Sequence, residues 1–354
     1  MGKILALTPF HIYPPTFGGA ERCWELLSRV GETDVIALNW DGLNARKQIG
    51  DVNYQLIAAD QAAIDQAIRL RNTGVQTFDT MPSLTKTKLT TIRKAIDAAD
   101  PDLIVLEHPW LVDLIDGRPY ILDAHNFETY NTGSQFGTTS YDYQLVKDIE
   151  GHAVEQAEHV AYCSTDDFDM LHRTFRTPSG THIPNGVNLP DRVSDGTTRN
   201  LIFIGSAYGP NVTAAMALIN QASRLRDFNV QILGQCVHYL PKDVPDNVQL
   251  IGPVNAEQLD DYFANAYAFI NLITHGSGTH LKIARALAYG LPILTTKHGA
   301  RGYRNLIHTT AETLPTTLKQ LDWRSKHHEA LEQARNITWD AIGTRYRQLI
   351  HSHL

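Results

Sequence analysis

Short, almost wholly apolar runs alternate along the chain with stretches of helical spacing. Lys3–Thr8 reads as a compact strand, followed by a Pro/Gly loop at Pro14–Gly19 and a helix-like segment over Ala20–Val30. Val35–Leu38, Leu103–Leu106, Tyr120–Leu122 and Val160–Cys163 repeat the strand pattern. The last runs into Ser164-Thr165-Asp166-Asp167, a helix start in which a hydroxyl takes a free amide and the acids suit the positive helix end. Strands this apolar, alternating with helices, predict a parallel sheet covered on both faces.

A second series follows a turn at Ile183-Pro184-Asn185-Gly186 and a polar stretch. Its strands are Leu201–Ile204, Val230–Leu233, Val248–Ile251, Ala268–Leu272 and Leu291–Thr295, with helices over Glu312–Lys319 and His328–Leu349. The pattern predicts an α/β protein of two Rossmann-like, doubly wound domains. The first is residues 1–187. Residues 188–200 form a linker, and 201–335 the second domain. Residues 336–354 are a C-terminal helix that closes the molecule by crossing back. In such sheets ligands lie beyond the carboxyl ends of the strands, so two facing edges predict a cleft as the binding site.

Composition narrows the classes. The 354 residues carry a formal net charge of −7, against a generally basic nucleic-acid coat, so no nucleic-acid partner is expected. No apolar run reaches the roughly 18–20 residues of a membrane span. The opening apolar run is too short for a signal-peptide core. Cys23, Cys163 and Cys236 are odd in number and widely spaced, which gives no disulfide framework or metal pattern and fits a cytoplasmic setting. The histidines are scattered without HExxH, so no metal is expected.

Four segments carry candidate chemistry. Pro14–Arg22 places Gly18-Gly19 between a strand and a helix, where backbone amides can approach an anion; a plain βα turn is the other reading. Asp123-Ala124-His125-Asn126-Phe127-Glu128 sets polar groups at a strand's carboxyl end, and His125 either meets a sugar hydroxyl or is a loop histidine held by Asp123. Glu107-His108-Pro109 repeats that arrangement more weakly. Phe203-Ile204-Gly205-Ser206 is a strand and tight turn before a helix start at Pro210. Gly276–Thr296 is the most informative: a glycine loop, a helix ending at Gly290, and a buried strand. Thr279, Lys282 and Arg285 fall along one stripe, suited to a nucleotide diphosphate or simply to solvent.

In order and spacing these segments resemble the family-4 glycosyltransferases of the GT-B fold, in the branch carrying Gly-Ser-Gly-Thr-x-Leu-Lys. The likeness runs through Pro-Pro-x-x-Gly-Gly-x-x-Arg at 14–22, Asp-Ala-His-Asn at 123–126, Pro-Asn-Gly-Val at 184–187, Phe-Ile-Gly-Ser at 203–206 with Pro210-Asn211, and 276–296. It implies a retaining transferase moving a sugar from a nucleotide-diphosphate sugar to an acceptor hydroxyl of a glycan, polysaccharide or glycolipid, without cofactor or metal. Carried over, His125 bonds the donor sugar near the reaction centre. Gly18, Gly19, Gly205, Ser206, Gly278, Thr279, Lys282 and Arg285 form the donor side, and Asp123, Asn126, Glu128 and Arg22 line the acceptor side. The sequence departs from the family at Arg285, where a Glu is usual, and lacks the basic residue usual after the Phe-Ile-Gly turn. Those departures keep a second reading open, a catalytically weak or inactive transferase-like partner subunit. A sugar-nucleotide epimerase ranks below both. Lys86, Lys88, Arg93 and Lys94 form a basic cluster that either touches anionic lipid, with the protein peripheral at the membrane, or is a solvated helix face.

Overall fold

The computed structural model describes residues 2–65 and 89–354. They form two compact units, one running to Pro184 and including Trp339–Leu354, the other Asn185–Thr338.

In the first unit, β1 (Ile4–Thr8) leads to α1 (Gly18–Leu27), then β2 (Thr33–Asn39), β3 (Ala45–Ile49) and β4 (Val52–Ala58). After α2 (Thr90–Ala99) come β5 (Leu103–Glu107) and β6 (Tyr120–Ala124), then α3 (Glu128–Phe136) and α4 (Tyr141–Gln156). β7 (His159–Tyr162), α5 (Thr165–Thr174) and β8 (Gly180–His182) complete it. The strand order is β3-β4-β2-β1-β5-β6-β7-β8. β1, β5 and β6 are buried along their whole length, which explains their continuous apolar runs. Order reverses between β1 and β5, the place where such sheets bind ligands. Register sets Glu107 beside Asp123 at the carboxyl ends of β5 and β6. Ser164 caps α5 by accepting from the Asp167 amide.

The second unit contains β9 (Asn200–Ile204), α6 (Gly209–Gln221), β10 (Asn229–Leu233), β11 (Val248–Gly252) and α7 (Ala256–Ala264). β12 (Ala268–Asn271), α8 (Leu281–Ala288), β13 (Ile293–Thr295), β14 (Ile307–His308), α9 (Leu314–Lys319) and α10 (Trp323–Arg335) follow. Its sheet is β11-β10-β9-β12-β13-β14, every pair parallel, with the switch between β9 and β12. One core layer joins α6 and α9 to the sheet, and another joins α7, α8 and α10. The last helix, α11 (Trp339–His351), belongs to the first unit, where it packs on α1 with Trp339, Tyr346 and Ile350 fully buried.

Several boundaries differ from the sequence expectation. The first sheet is not wholly parallel, because β3 pairs antiparallel with β4 as an edge hairpin. Residues 188–200 are not a free linker: Ser194 donates its amide to the Tyr289 carbonyl and its hydroxyl to the Ala266 carbonyl. The helix expected over His328–Leu349 is broken at Asn336–Thr338. There Val187 donates to the Ile337 carbonyl and bridges Thr338, and Asn, Ile and Thr are all weak helix formers.

Gly234 makes the turn after β10 with φ +91°, and a Cβ there would lie 2.3 Å from the Gly205 carbonyl oxygen. Gly234→Ala should therefore lose about 1–3 kcal/mol of stability in denaturant unfolding. An unchanged midpoint would show that the Gly205 turn yields freely.

Candidate functional site

In the first unit the switch point gathers a closed network. Arg22, on α1, is 2% exposed; its guanidinium donates to both oxygens of Asp123 at 2.8 and 3.2 Å and to the Ile183 carbonyl at 2.9 Å. Read from sequence as acceptor-side groups, Arg22 and Asp123 thus answer each other inside the core. Beside them, His125 Nε2 lies 2.7 Å from Glu107 Oε2. Cys23 donates its thiol to the same oxygen at 3.3 Å, and the Tyr346 hydroxyl donates to Glu107 Oε1 at 3.5 Å. Burial, with the Asp123 charge next to it, pushes the Glu107 carboxyl up to about 8. Burial pushes the His125 imidazole down to about 4. Burial thus works against the charged form of both partners.

His108 stacks against His125, ring centroids 4.1 Å apart, and its Nδ1 faces Glu128 at 3.2 Å. Its backbone sits at φ 64°, ψ 160°, a conformation normally left to glycine. Asn126 also donates to Glu128 at 3.0 Å. Glu150, on α4, accepts from the amides of Glu128 and Thr129 and from the Thr129 hydroxyl, filling the open amides that begin α3. Burial next to Glu128 pushes the Glu150 carboxyl up to about 8. Asn126 and Glu128 are thus brought together with His125, but as partners of one another. Gly18 and Gly19 open α1 behind Phe17 and are half-buried.

Cys23, Glu107 and His125 offer, among the described residues, a group of ligand atoms within 4.8 Å of one another. A zinc with N, O and S ligands at about 2.0–2.3 Å holds those atoms more than about 3 Å apart. The 2.7 Å approach of Nε2 to Oε2 is instead a hydrogen bond. The donor set fits a shared proton better than a cation.

In the second unit the switch point holds Lys282, half-buried on the first turn of α8. Its Nζ donates to the Ile204 carbonyl at 3.0 Å and to Asn211 Oδ1 at 2.8 Å, and lies 4.8 Å above the Phe203 ring centre. Both acceptors are neutral oxygens. Burial holds the ammonium down at about 7, with the Cys236 thiol as the opposing influence. Asn211 also donates to Ser206 Oγ at 3.1 Å, tying the Gly205-Ser206 turn to α6. Thr279 accepts from Asn185 at 2.8 Å. Gly278 has φ +73°, Arg301 donates to the Gly276 carbonyl, and the Tyr303 hydroxyl to that of His280. Burial, and then Lys282 and His298, push the His280 ring down to about 3. Gly205, Ser206, Gly278, Thr279 and Lys282 therefore belong to one pair of adjacent loops. Arg285 faces elsewhere on α8, near enough to bias the Tyr289 phenol, which donates to Asp260 at 2.6 Å.

Of the basic cluster, Lys86 and Lys88 lie outside the described residues. Arg93 donates to the Asp113 carbonyl and pairs with Asp116 at 3.6 Å, leaving Lys94 exposed. Among the described residues no helix is long and apolar enough to cross a membrane.

Sequence reasoning passed over Cys23, Glu150, Tyr346, Asn185 and Asn211 as functional residues. Glu107 did carry a signal, an ionisable residue closing an apolar strand as Asp123 does. Tyr346 had none, since it reaches Glu107 across 239 residues of chain.

The profile of the family "Glycosyl transferases group 1" matches residues 198–319, within the second unit. A search of curated proteins by sequence found no significant match. Solved structures align over nearly the whole chain. A sucrose-phosphate synthase from Thermosynechococcus elongatus is 15% identical with a TM-score of 0.78, covering 99% of this chain and 98% of its own. HepE from Anabaena, in complex with UDP, is 14% identical with a TM-score of 0.67, covering 99% and 100%. A UDP-forming trehalose-phosphate synthase from Burkholderia xenovorans, in complex with glucose-6-phosphate, is 10% identical with a TM-score of 0.73, covering 99% and 100%. The fold is therefore that of the GT-B glycosyltransferases, two parallel-sheet α/β domains in one chain.

Proposed function

We propose that the chain is a retaining glycosyltransferase of the family-4 kind, moving a sugar from a nucleotide-diphosphate sugar to an acceptor hydroxyl. The observation that carries this reading is Lys282. A half-buried ammonium whose partners are neutral oxygens lies beside glycine-bent loops at a ligand-binding sheet edge, within the region similar to group 1 glycosyl transferases. A diphosphate would supply the negative charge this group lacks. UDP is the nucleotide we favour, because structural neighbours bind UDP or UDP-2-fluoro glucose. A sugar is the acceptor class we favour, because another neighbour holds glucose-6-phosphate.

In this reading the second unit holds the diphosphate through Lys282, Thr279 and the backbone around Gly205, Ser206 and Gly278. The bond from the anomeric carbon to the leaving phosphate oxygen breaks, the acceptor oxygen bonds to that carbon on the same face, and the acceptor's hydroxyl proton passes to the departing phosphate oxygen. Charge builds on the departing diphosphate, so Lys282 and the amides stabilise the transition state more than the ground state, with no metal required. His125 is the group we assign to a hydrogen bond with a sugar oxygen. The rival reading, a transferase-like subunit without activity, rests on Arg285 and is decided by turnover.

His125→Ala should lower kcat about 100- to 1000-fold while nucleotide binding to the second unit persists. Absence of turnover by the unmodified chain with any nucleotide sugar, alongside tight binding to another protein, would favour the subunit reading.

Diphosphate binding should also be linked to protons. Lys282 is charged below about 7 and neutral above it, and a bound anion restores the charge. UDP affinity should therefore fall as pH rises above 7, by up to tenfold per pH unit. Calorimetry at pH 8 in buffers of different ionisation heat should record proton uptake. Lys282→Arg, charged throughout, should abolish both effects; equal proton uptake in that variant would assign the linkage to another group.

A further inference from the structure

The first unit's switch point holds two carboxyls and one committed cation. Register places Glu107 next to Asp123, and the Arg22 guanidinium spends two hydrogen bonds on Asp123. Glu107 feels the Asp123 and Arg22 charges, but its own hydrogen-bond partners are not cations committed to it: the Cys23 thiol from α1, the Tyr346 hydroxyl from α11 and the His125 ring from the loop after β6, with His108 from the loop after β5 nearby. Cys163, behind Arg22, donates its thiol to the His125 carbonyl, and Glu128 takes up His108. Two adjacent carboxyls fully out of water cannot both ionise cheaply beside a single cation. Asp123 keeps the charge and Glu107 keeps a proton.

That proton has one good place to go. Glu107 Oε2 is 2.7 Å from His125 Nε2, while Nδ1 has no hydrogen-bond partner among the described residues. We propose that Glu107 is the positioning residue of His125: its carboxyl O–H donates to Nε2, so the ring proton sits on Nδ1 and is offered outward as a hydrogen-bond donor to a sugar oxygen. The sugar in that statement rests on the transferase reading above; the proton arrangement does not. Cys23 and Tyr346, donating to the two carboxyl oxygens, hold the group in its rotamer. When Glu107 loses its proton to solvent, the remaining ring proton moves to Nε2 to bond the carboxylate. Nδ1 then becomes an acceptor, and the contact with a sugar lone pair is lost.

The test is the tautomer itself, read on the full chain labelled with ¹⁵N-histidine, with His125 assigned by its loss in His125→Asn. Below pH 8 the ring should carry its proton on Nδ1, and the signal should convert to the Nε2–H form above it. Glu107→Gln, whose amide also donates to Nε2, should keep the Nδ1–H form at every pH; Glu107→Ala should mix the two. In turnover at saturating donor, kcat should fall tenfold per pH unit above about 8, and Glu107→Gln should remove that slope. An Nε2–H ring at pH 7 overturns the proposal, as does an unmodified slope in Glu107→Gln. Should the variant not fold, the pH titration of the unmodified chain decides alone. The Nδ1–H form without sugar turnover would leave this inference standing and remove the transferase reading. Turnover with an Nε2–H ring would do the reverse.

Discussion

An arginine can be buried only if its charge is answered, and the core of the first unit is arranged around answering Arg22. The guanidinium draws Asp123 from the end of β6 and the Ile183 carbonyl from the segment beyond β8. It thereby fixes α1 against strand ends that lie far from it in sequence. Breaking such a pair by removing one partner typically costs about 3–5 kcal/mol, because the other charge is stranded in a low dielectric. The pair also rations charge. Once Asp123 holds the cation, the adjacent buried Glu107 carboxyl is left without a counter-charge of its own, and its sharing of a proton with His125 follows from that shortage.

The second unit handles its cation in the opposite way. Lys282 is also removed from most of the solvent, but it is met by a carbonyl and a side-chain amide oxygen rather than by a carboxylate. Hydrogen bonds to neutral oxygens satisfy the ammonium protons without cancelling the charge, so the ordinary pKa cannot be maintained. A closed ion pair gives rigidity, and an uncancelled cation leaves attraction for an anion. The Asn211 amide serves both needs, accepting from Lys282 and donating to Ser206, so the turn after β9 and the first turn of α8 are set by one side chain.

The strands were legible because parallel strands buried on both faces read as unbroken apolar runs, and β1, β5, β6 and β9 each do. The glycine loop before α8 was legible because glycine, a helix and a stop at Gly290 follow in close succession. Edge strands were not: β3 is exposed along most of its length and reads as polar chain. Nor was the fate of Arg22. Three residues after a Gly-Gly turn, an arginine looks like a group aimed at a ligand, and only the meeting of α1 with β6, about a hundred residues on, turns it inward. The same holds for Cys23, Glu150 and Tyr346, whose partners are set by packing and leave no local trace.

The stripe of Thr279, Lys282 and Arg285 shows what periodicity alone cannot resolve. A step of three residues turns an ideal helix by about 300°, so each member drifts about 60° from the last. Over a short helix that drift separates chemistries. Lys282 turns in to the Ile204 carbonyl, while Arg285 comes to bear on Tyr289, a phenol bonded to Asp260 on α7. An arginine there offers five donors and no acceptor. Two side chains three residues apart on one short helix therefore meet different surroundings, a neutral carbonyl for one and an acid-bonded phenol for the other.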